Sequence, residues 1–412
     1  MNLLVKDKCF YKKMAVIAIP ISLQSMITIG VNMTDTVMVG KLGETSLSAT
    51  ALANQFVNIY QICCMGIAMG ASVLTSRFWG MQDITSLKKT ITLMLRLCIV
   101  LAVLFMLPTI LIPQLLMRMY TNDSAVIAQG VQYFKWMVYC YFLQGMTMTC
   151  TIVLRSVGQV NFPLFTSIGS FFVNILFNYM FIFGKLGVPR MEVEGAGVGT
   201  LIARVFEFSL ICGYFLFVDR KIGYRLKDLR MKCNSLIKDY VSISIPVFVS
   251  DSLLALGTSA VAMVMGRIGT GFVSANSITV VTQQLTTVII QGICHASCIM
   301  TGHTLGQGER EKAQQQAWTF LILGLVVGIL GGGLIKVLSR PIIGLYNITP
   351  ETAQIAGELM DAIAFIVIFQ SMNSILTKGV LRGGGDTKFL MVADIIFLWA
   401  ASLPLGILAG LV

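Results

Sequence analysis

Long apolar segments separated by short polar breaks dominate this sequence. Most reach or exceed the roughly 20 residues that a helix needs to cross the hydrocarbon of a bilayer. They lie at 14–38, 46–76, 90–117, 124–152, 161–183, 195–218, 239–265, 272–302, 314–338, 351–378 and 389–411. Because a backbone in lipid must satisfy its own hydrogen bonds, such segments cross membranes as helices. The sequence therefore predicts an all-α, polytopic protein of the cell membrane.

The composition argues against several other classes of protein. Hydrophobic residues make up 56% of the chain and charged residues 12%, against roughly 25% charged residues in soluble domains. The net charge of +11 is spread over short loops and forms no basic helix, so we do not expect nucleic acid as a partner. The ten cysteines are scattered, and no HExxH motif or cluster of acids indicates an enzyme, a metal centre or a cofactor.

Basic residues concentrate in alternate loops, and this predicts the orientation of the chain. Lys6, Lys8, Lys12 and Lys13 precede the first apolar segment, and the stretch 220–238 is the most basic connection. Cytoplasmic loops of membrane proteins carry an excess of Lys and Arg. We therefore expect the N-terminus to lie in the cytoplasm.

An internal repeat divides the apolar segments into two sets. Pro20 and Gly80 recur 226 residues later as Pro246 and Gly306, with further matches between them at the same offset. The predicted parts are an N-lobe at 1–218 with six spans, a cytoplasmic basic linker at 219–238 and a C-lobe at 239–412 with five spans. After six spans the chain returns to the side where it began, so the halves are predicted to be parallel, pseudo-symmetric repeats.

The two halves differ in number, because the second lacks a partner for the sixth span of the first. The repeat predicts a twelfth helix beyond Val412, so we expect either a truncated form of a twelve-span protein, which we favour, or a natural short form. Pro20 and Pro246 occupy equivalent positions in the first span of each half. Both are predicted to be conformational hinges, since proline removes one helical hydrogen bond.

Asp35 is a carboxylate deep inside the apolar run from Ile19 to Gly43. A charged side chain near the bilayer centre costs about 3 kcal/mol or more, so such residues usually serve a function. One interpretation is that Asp35 lies near a helix end and reaches the headgroup layer. The other, which we favour, is an ion-coupling carboxylate that faces a wet cavity.

Four motifs along the chain resemble those of the multidrug and toxic compound extrusion (MATE) family. They are DTVMVGKLG at 35–43, LRSVGQVNFP at 154–163, GAGVGT at 195–200 and LRGGGDTK at 381–388. The resemblance implies two bundles of six helices that form a V-shaped cleft. It also implies antiport without a cofactor, in which organic and often cationic compounds leave the cell as H⁺ or Na⁺ enters, and for which a monomer suffices.

The resemblance further implies an ion-coupling site in the first bundle, formed by Asp35, Asn174, Asn178 and Thr200. Asn174 and Asn178 are one turn apart and share a helix face, so their amides can line a pocket with Asp35. Some members carry an acid where this chain has Asn178, which leaves one ionisable group in the set. We favour H⁺ as the coupling ion and leave Na⁺ open, because the same oxygens suit a hard cation.

The second bundle differs chemically from the first. Members thought to bind Na⁺ there carry acids on spans 7 and 10, but the span-10 position reads Gln370-Ser371 in this chain. Asp251 and Asp361 are imperfect substitutes for those acids, and they define a second polar site as a hypothesis. By the repeat, the counterpart of Asp35 is Val261, so the two halves are chemically unequal.

A further interpretation concerns two charges inside one span. Arg204 and Glu207, at i and i+3 in one apolar segment, are predicted to pair structurally.

An alternative function within transporters is a flippase for a lipid-linked precursor. Such a protein would use several cationic residues in its cleft to hold phosphates, and this cleft is poor in them.

Overall fold

The computed structural model is helical along almost its whole length. It describes residues 4–268, 270–344, 349–405 and 408, and the side chains of these except 258–274, which include Val261, and 277. The α-helices in chain order are α1 (Lys8–Gly40), α2 (Glu44–Gly80), α3 (Ile84–Leu111), α4 (Pro113–Arg118), α5 (Ser124–Ser156), α6 (Asn161–Phe183), α7 (Glu192–Gly213), α8 (Asn234–Ile268), α9 (Thr270–Gly306), α10 (Arg310–Gly344), α11 (Pro350–Ser374), α12 (Arg382–Gly384) and α13 (Thr387–Ile395). The described part of the chain contains no strand and eleven helices that are long and apolar enough to cross a membrane. The prediction of an all-α polytopic membrane protein is confirmed.

Some helices extend beyond the predicted apolar segments, whereas α3 ends at Leu111, inside the predicted segment 90–117, and the short α4 follows it. α1 begins at Lys8 rather than at residue 14, and α2 ends at Gly80 rather than at residue 76. Hydropathy detects the part of a helix that suits hydrocarbon, whereas the helix itself continues until a cap or turn ends it. Three helices also continue as π-helix, at Tyr214–Val218, Ile375–Leu381 and Ile396–Ser402.

The chain forms two compact units. The N-unit comprises Gln24–Thr75 and Asp83–Val241, and the C-unit comprises Met1–Leu23, Ser76–Gln82 and Ser242–Val412. The predicted lobes, 1–218 and 239–412, divide the sequence by its repeat and stay a prediction. Pro20 and Pro246 lie inside the continuous helices α1 and α8, and their role as hinges also stays a prediction.

An aromatic cluster forms part of the N-unit core. Tyr60 on α2 and Tyr141 on α5 are fully buried, and their ring centroids lie 5.0 Å apart. The Tyr60 hydroxyl donates a hydrogen bond of 2.5 Å to the Tyr141 carbonyl. Gly145 makes room for this hydroxyl, because a Cβ there would lie 2.2 Å from the Tyr60 oxygen. The pair stabilises the packing of α2 on α5 beyond simple area burial.

Two glycines of the repeat bring α2 and α9 into backbone contact within the C-unit. A Cβ on Gly80 would lie 2.3 Å from the carbonyl oxygen of His303, and one on Gly306 would lie 2.2 Å from that of Arg77. At the 226-residue offset Gly80 corresponds to Gly306 and Arg77 to His303, so one contact is made twice. Only glycine permits a backbone approach this close.

The predicted basic linker, 219–238, contains a 3₁₀-helix (Leu226–Arg230) that packs against α3 within the N-unit. Asp228 Oδ2 lies 2.9 Å from Lys88 Nζ and accepts a hydrogen bond of 3.0 Å from the backbone N–H of Arg225. Burial disfavours the Asp228 charge, but the Lys88 ammonium and the Arg225 amide outweigh burial. Together they hold the pKa of Asp228 below its ordinary value.

We expect Asp228→Asn to loosen this segment at pH 7 but not at strongly acidic pH. A carboxyl whose pKa is lowered by folding contributes stability that is present above its unfolded pKa, about 3.9, and is lost as the pH falls through the folded value. A partly exposed pair of this kind contributes about 1 kcal/mol. Amide hydrogen exchange of Leu226–Arg230 should therefore become about fivefold faster at pH 7.

The exposed Asp239 provides the control for this measurement. Asp239→Asn should leave the exchange of Leu226–Arg230 unchanged. An acceleration in Asp228→Asn that persists below the folded pKa of the wild-type carboxyl would contradict the ion pair as its cause.

Candidate functional site

Asp35, Asn174 and Asn178 meet inside the N-unit. Asp35 lies on α1, and its Oδ1 accepts a hydrogen bond of 2.6 Å from Nδ2 of Asn178 on α6. The same Nδ2 lies 3.3 Å from Oδ1 of Asn174, one turn earlier on α6. Both asparagines are buried, with 3% and 1% of their surfaces exposed. A carboxylate and two amides therefore converge within membrane-spanning helices.

The convergence point borders a cavity of about 350 Å³ within the N-unit. Asp35, Asn174 and Thr200 all line this cavity, and Thr200 comes from α7. Asn178 reaches it through its hydrogen bond to Asp35. The structure thus brings the four residues of the predicted first-bundle site to one place.

Five amides that the sequence did not single out add to the polar lining, and one of them is Asn32 on α1. Asn54, Asn58 and Gln61 come from α2, and Gln144 comes from α5. The three on α2 are spaced i, i+4 and i+7, so they share one face of that helix. This polar stripe in an otherwise apolar segment is the sequence feature from which the polar lining could have been predicted. Tyr133 also lines the cavity, and its hydroxyl donates a hydrogen bond of 3.2 Å to Asn54 Oδ1.

Arg204 and Glu207 on α7 bring two further charges to the same cavity. Arg204 Nη1 lies 2.8 Å from Glu207 Oε2, so the predicted pair is confirmed. Their side chains are 29% and 13% exposed. The cavity therefore contains two carboxylates, those of Asp35 and Glu207, and one guanidinium.

Gly199 of the GAGVGT motif lets α6 and α7 approach closely at this site. A Cβ on Gly199 would lie 2.1 Å from Oδ1 and 2.8 Å from the backbone nitrogen of Asn178. Gly195, one turn earlier, faces the backbone of α6 in the same way, because its Cβ would lie 2.5 Å from the carbonyl oxygen of Phe181. The glycines of this motif thus allow Asn178 to pack directly on α7.

We expect Gly199→Ala to destabilise the protein by about 1–3 kcal/mol, the usual cost of overpacking a filled core. The added methyl meets backbone as well as side chain, so α6 must shift. The apparent melting temperature in detergent measures the loss. Gly213→Ala is the matched control, because Gly213 ends the same helix and a Cβ there meets nothing within 4 Å. Equal melting temperatures for the two variants would contradict the close approach at Gly199.

The structure does not bring together Asp251 and Asp361, the two residues of the predicted second polar site. Asp251 on α8 pairs with Arg382 on α12, whose Nη2 lies 2.9 Å away and whose side chain is 3% exposed. Asp361 on α11 pairs instead with Lys336 on α10 at 2.5 Å, and both side chains are more than half exposed. Each acid therefore has its own basic partner, which the spacing in sequence could not reveal.

A third acid of the C-unit, Asp394 on α13, was missed in the sequence. It accepts a short hydrogen bond from the hydroxyl of Ser250, the neighbour of Asp251 on α8. The sequence feature that could have identified it is the presence of an aspartate inside the apolar segment 389–411. The described residues contain no group of three or more His, Cys, Asp or Glu side chains that could hold a metal ion.

The N-unit contains the repeat counterpart of this network with different partners. Arg155, the counterpart of Arg382, donates a short hydrogen bond to Gln24 Oε1. Gln24 Nε2 in turn donates to Ser167 Oγ at 2.8 Å, where Ser167 stands in the position of Asp394. The repeat thus keeps the arginine in both halves, but only the C-unit gives it a carboxylate.

Known proteins share both the sequence pattern and the fold of this chain. The model of the MatE family matches residues 20–180 and 246–408. The uncharacterized transporter YisQ of Bacillus subtilis is 24% identical over 384 residues, which are 92% of this chain and 82% of that protein. The probable multidrug resistance protein NorM of Thermotoga maritima is 24% identical over 401 residues, which are 96% and 84% of the two chains. A solved structure, described as the outward-facing conformation of a multidrug resistance MATE family transporter of the MOP superfamily, matches with a TM-score of 0.86 at 18% identity, covering 97% of this chain and 91% of that one.

Proposed function

Because the chain belongs to the MatE family, we propose that it is a secondary active transporter that exports organic, often cationic, compounds in exchange for inward H⁺. The name of the Thermotoga maritima relative and the description of the solved structure both refer to multidrug resistance, which supports drug-like substrates. The eleven candidate spans support a place in the cell membrane. The basic loops favour a cytoplasmic N-terminus, and a single chain suffices for the cycle.

The observation that carries this proposal is the contact of Asp35 with Asn178 beside a cavity inside the helices. An ionised carboxylate in a membrane span is costly, so it is retained where its charge is used. Here it has an amide partner and access to a polar space. Those are the surroundings that a proton-exchanging group needs.

Proton exchange at Asp35 gives the contact between α1 and α6 two states. An ionised Asp35 only accepts hydrogen bonds, whereas a protonated one also donates. Each state favours a different arrangement of the amides of Asn174 and Asn178, and hence a different packing of the two helices. If one packing opens the protein outward and the other inward, protonation from outside and release inside drive the compound out.

The hydrogen bonds around Asp35 favour H⁺ over Na⁺. A hard cation would need the oxygens of Asp35, Asn174 and Thr200 free to coordinate it. The Asn178 amide nitrogen already donates to Asp35 and lies within hydrogen-bond distance of the Asn174 oxygen. The buried Asn178 Oδ1 lacks a hydrogen-bond partner. A proton fits this arrangement without displacing any donor.

Transport of a cationic dye into everted membrane vesicles tests the proposal. Vesicles that contain the protein are given an acidic lumen, a Na⁺-loaded lumen, or neither, and dye accumulation is followed by fluorescence. We expect accumulation with the acidic lumen only, and its collapse when a protonophore is added. Vesicles from cells that lack the protein provide the background.

The other outcomes separate the alternatives. Accumulation driven by Na⁺ alone would replace H⁺ by Na⁺ as the coupling ion. No accumulation under either gradient, from protein shown to be inserted, would overturn the proposal. Rescue of a strain that lacks its lipid-precursor flippase would then support the flippase.

A further inference from the structure

The charges of the N-unit cavity do not balance. Asp35 and Glu207 are carboxylates and Arg204 is a guanidinium, and the other lining residues are apolar or carry amides and hydroxyls. With both acids ionised the cavity has a net charge of −1. With one proton bound it is neutral.

Arg204 is shared unequally between the two acids. It makes a direct contact with Glu207, at 2.8 Å between Nη1 and Oε2. It also lines the same cavity as Asp35, whose direct partner is the Asn178 amide. Because Glu207 holds the guanidinium, Asp35 is only partly compensated. A partly compensated acid in a membrane takes up a proton more readily than one with its own counter-ion.

We propose that Arg204 and Glu207 are positioning residues for coupling, which set the net charge of the cavity and thereby the pH range over which Asp35 exchanges its proton. This inference rests on the proposed function. Glu207 acts through its contact with Arg204, which it holds away from full neutralisation of Asp35.

The remaining groups that face Asp35 and Arg204 do not alter this balance. Tyr133 on α5 lines the cavity and donates to Asn54, and Cys140 on the same helix lies near Arg204. Phenols and thiols are ordinarily neutral at pH 7. α2 and α6 contribute amides, and α1 contributes no charge other than Asp35 to the lining.

Charge-balance variants test the inference through the pH profile of dye accumulation. Glu207→Gln leaves Arg204 to compensate Asp35, so its midpoint should move to lower pH by about one unit. Arg204→Gln leaves two uncompensated acids, so its midpoint should move to higher pH. The double variant restores a net charge of −1, and its midpoint should return to near that of the wild type. An ion pair too far from Asp35 to influence its charge would leave both midpoints unchanged.

A second measurement covers variants that insert but do not transport. The infrared C=O band of protonated Asp35, identified by its loss in Asp35→Asn, can be titrated in purified protein without turnover. We expect the titration midpoint of this band to shift in the same direction as the transport midpoint in Glu207→Gln and in Arg204→Gln, and to return to near the wild-type value in the double variant. Glu194→Gln is the control, because Glu194 makes a pair with the exposed Lys135 outside the cavity lining, and no shift is expected there.

Failure of the inference and failure of the proposed function look different. Wild-type midpoints in both single variants, or a double variant that does not return toward the wild type, would overturn the inference while wild-type transport persists. Absence of proton-driven accumulation in the wild type would overturn the proposed function, whatever the infrared titration shows.

Discussion

Asp35→Asn is expected to reduce proton-driven dye accumulation in everted vesicles to the level of vesicles without the protein. Asparagine keeps the size of the side chain and can still accept from Asn178, but it cannot bind and release a proton. The α1–α6 contact is then held in one state, and an antiporter that cannot exchange its coupling ion cannot complete its cycle. Binding of the compound itself should survive, so a fluorescent substrate should still bind the purified variant.

Asp361→Asn is the matched control for this result. It makes the same chemical change at an exposed acid of the other unit, and we expect accumulation near that of the wild type. Wild-type accumulation by Asp35→Asn under the proton gradient would show that coupling does not pass through this carboxylate. Loss of accumulation in both variants would point to a general effect of removing acids.

The second large effect is expected on stability, at the ion pair between Asp251 and Arg382. Asp251→Asn leaves the guanidinium of Arg382 buried without its counter-ion, and breaking a buried pair in this way costs about 3–5 kcal/mol. Denaturation of the purified protein in detergent, followed by the apparent melting temperature, measures the loss. We expect a lower melting temperature together with a lower yield of inserted protein.

Two further variants separate the buried charge from other causes. Asp361→Asn breaks an exposed pair and should cost about 1 kcal/mol or less. Asp251→Leu combined with Arg382→Met removes both charges, and it should be more stable than Asp251→Asn, since replacing a buried pair by apolar side chains is often close to neutral. Equal melting temperatures for Asp251→Asn and Asp361→Asn would contradict the importance of burial.

The spans and the first-bundle site could be predicted from the sequence because their signals are local. Crossing a bilayer takes a long apolar segment, and the i, i+4 spacing of Asn174 and Asn178 places both on one face of a helix. Asp35 stands out because a carboxylate is rare in such a segment. The resemblance to the MATE family then assigned residues that lie far apart in the chain to one site. The hydrogen bond between Asn178 and Asp35 agrees with that assignment.

The partners of the second-bundle acids could not be predicted, because nothing local encodes them. Asp251 and Arg382 are 131 residues apart in sequence, and they meet only in the folded chain. From its position in the sequence, Asp361 was as good a candidate for a buried polar site as Asp251. In the structure it forms an exposed ion pair with Lys336. Helix ends were also missed, since Lys8 and Gly80 lie outside the apolar windows although their backbones are helical.

The crossing of α2 and α9 has the form of a contact in a symmetric dimer. Gly80 meets His303 and Gly306 meets Arg77, and exchanging the two halves of the sequence turns each contact into the other. In an isologous interface, residue i of one copy contacts residue j of the other, and j contacts i. Each half of the sequence therefore supplies one glycine and one carbonyl to the same crossing, so a single local pattern specifies both contacts.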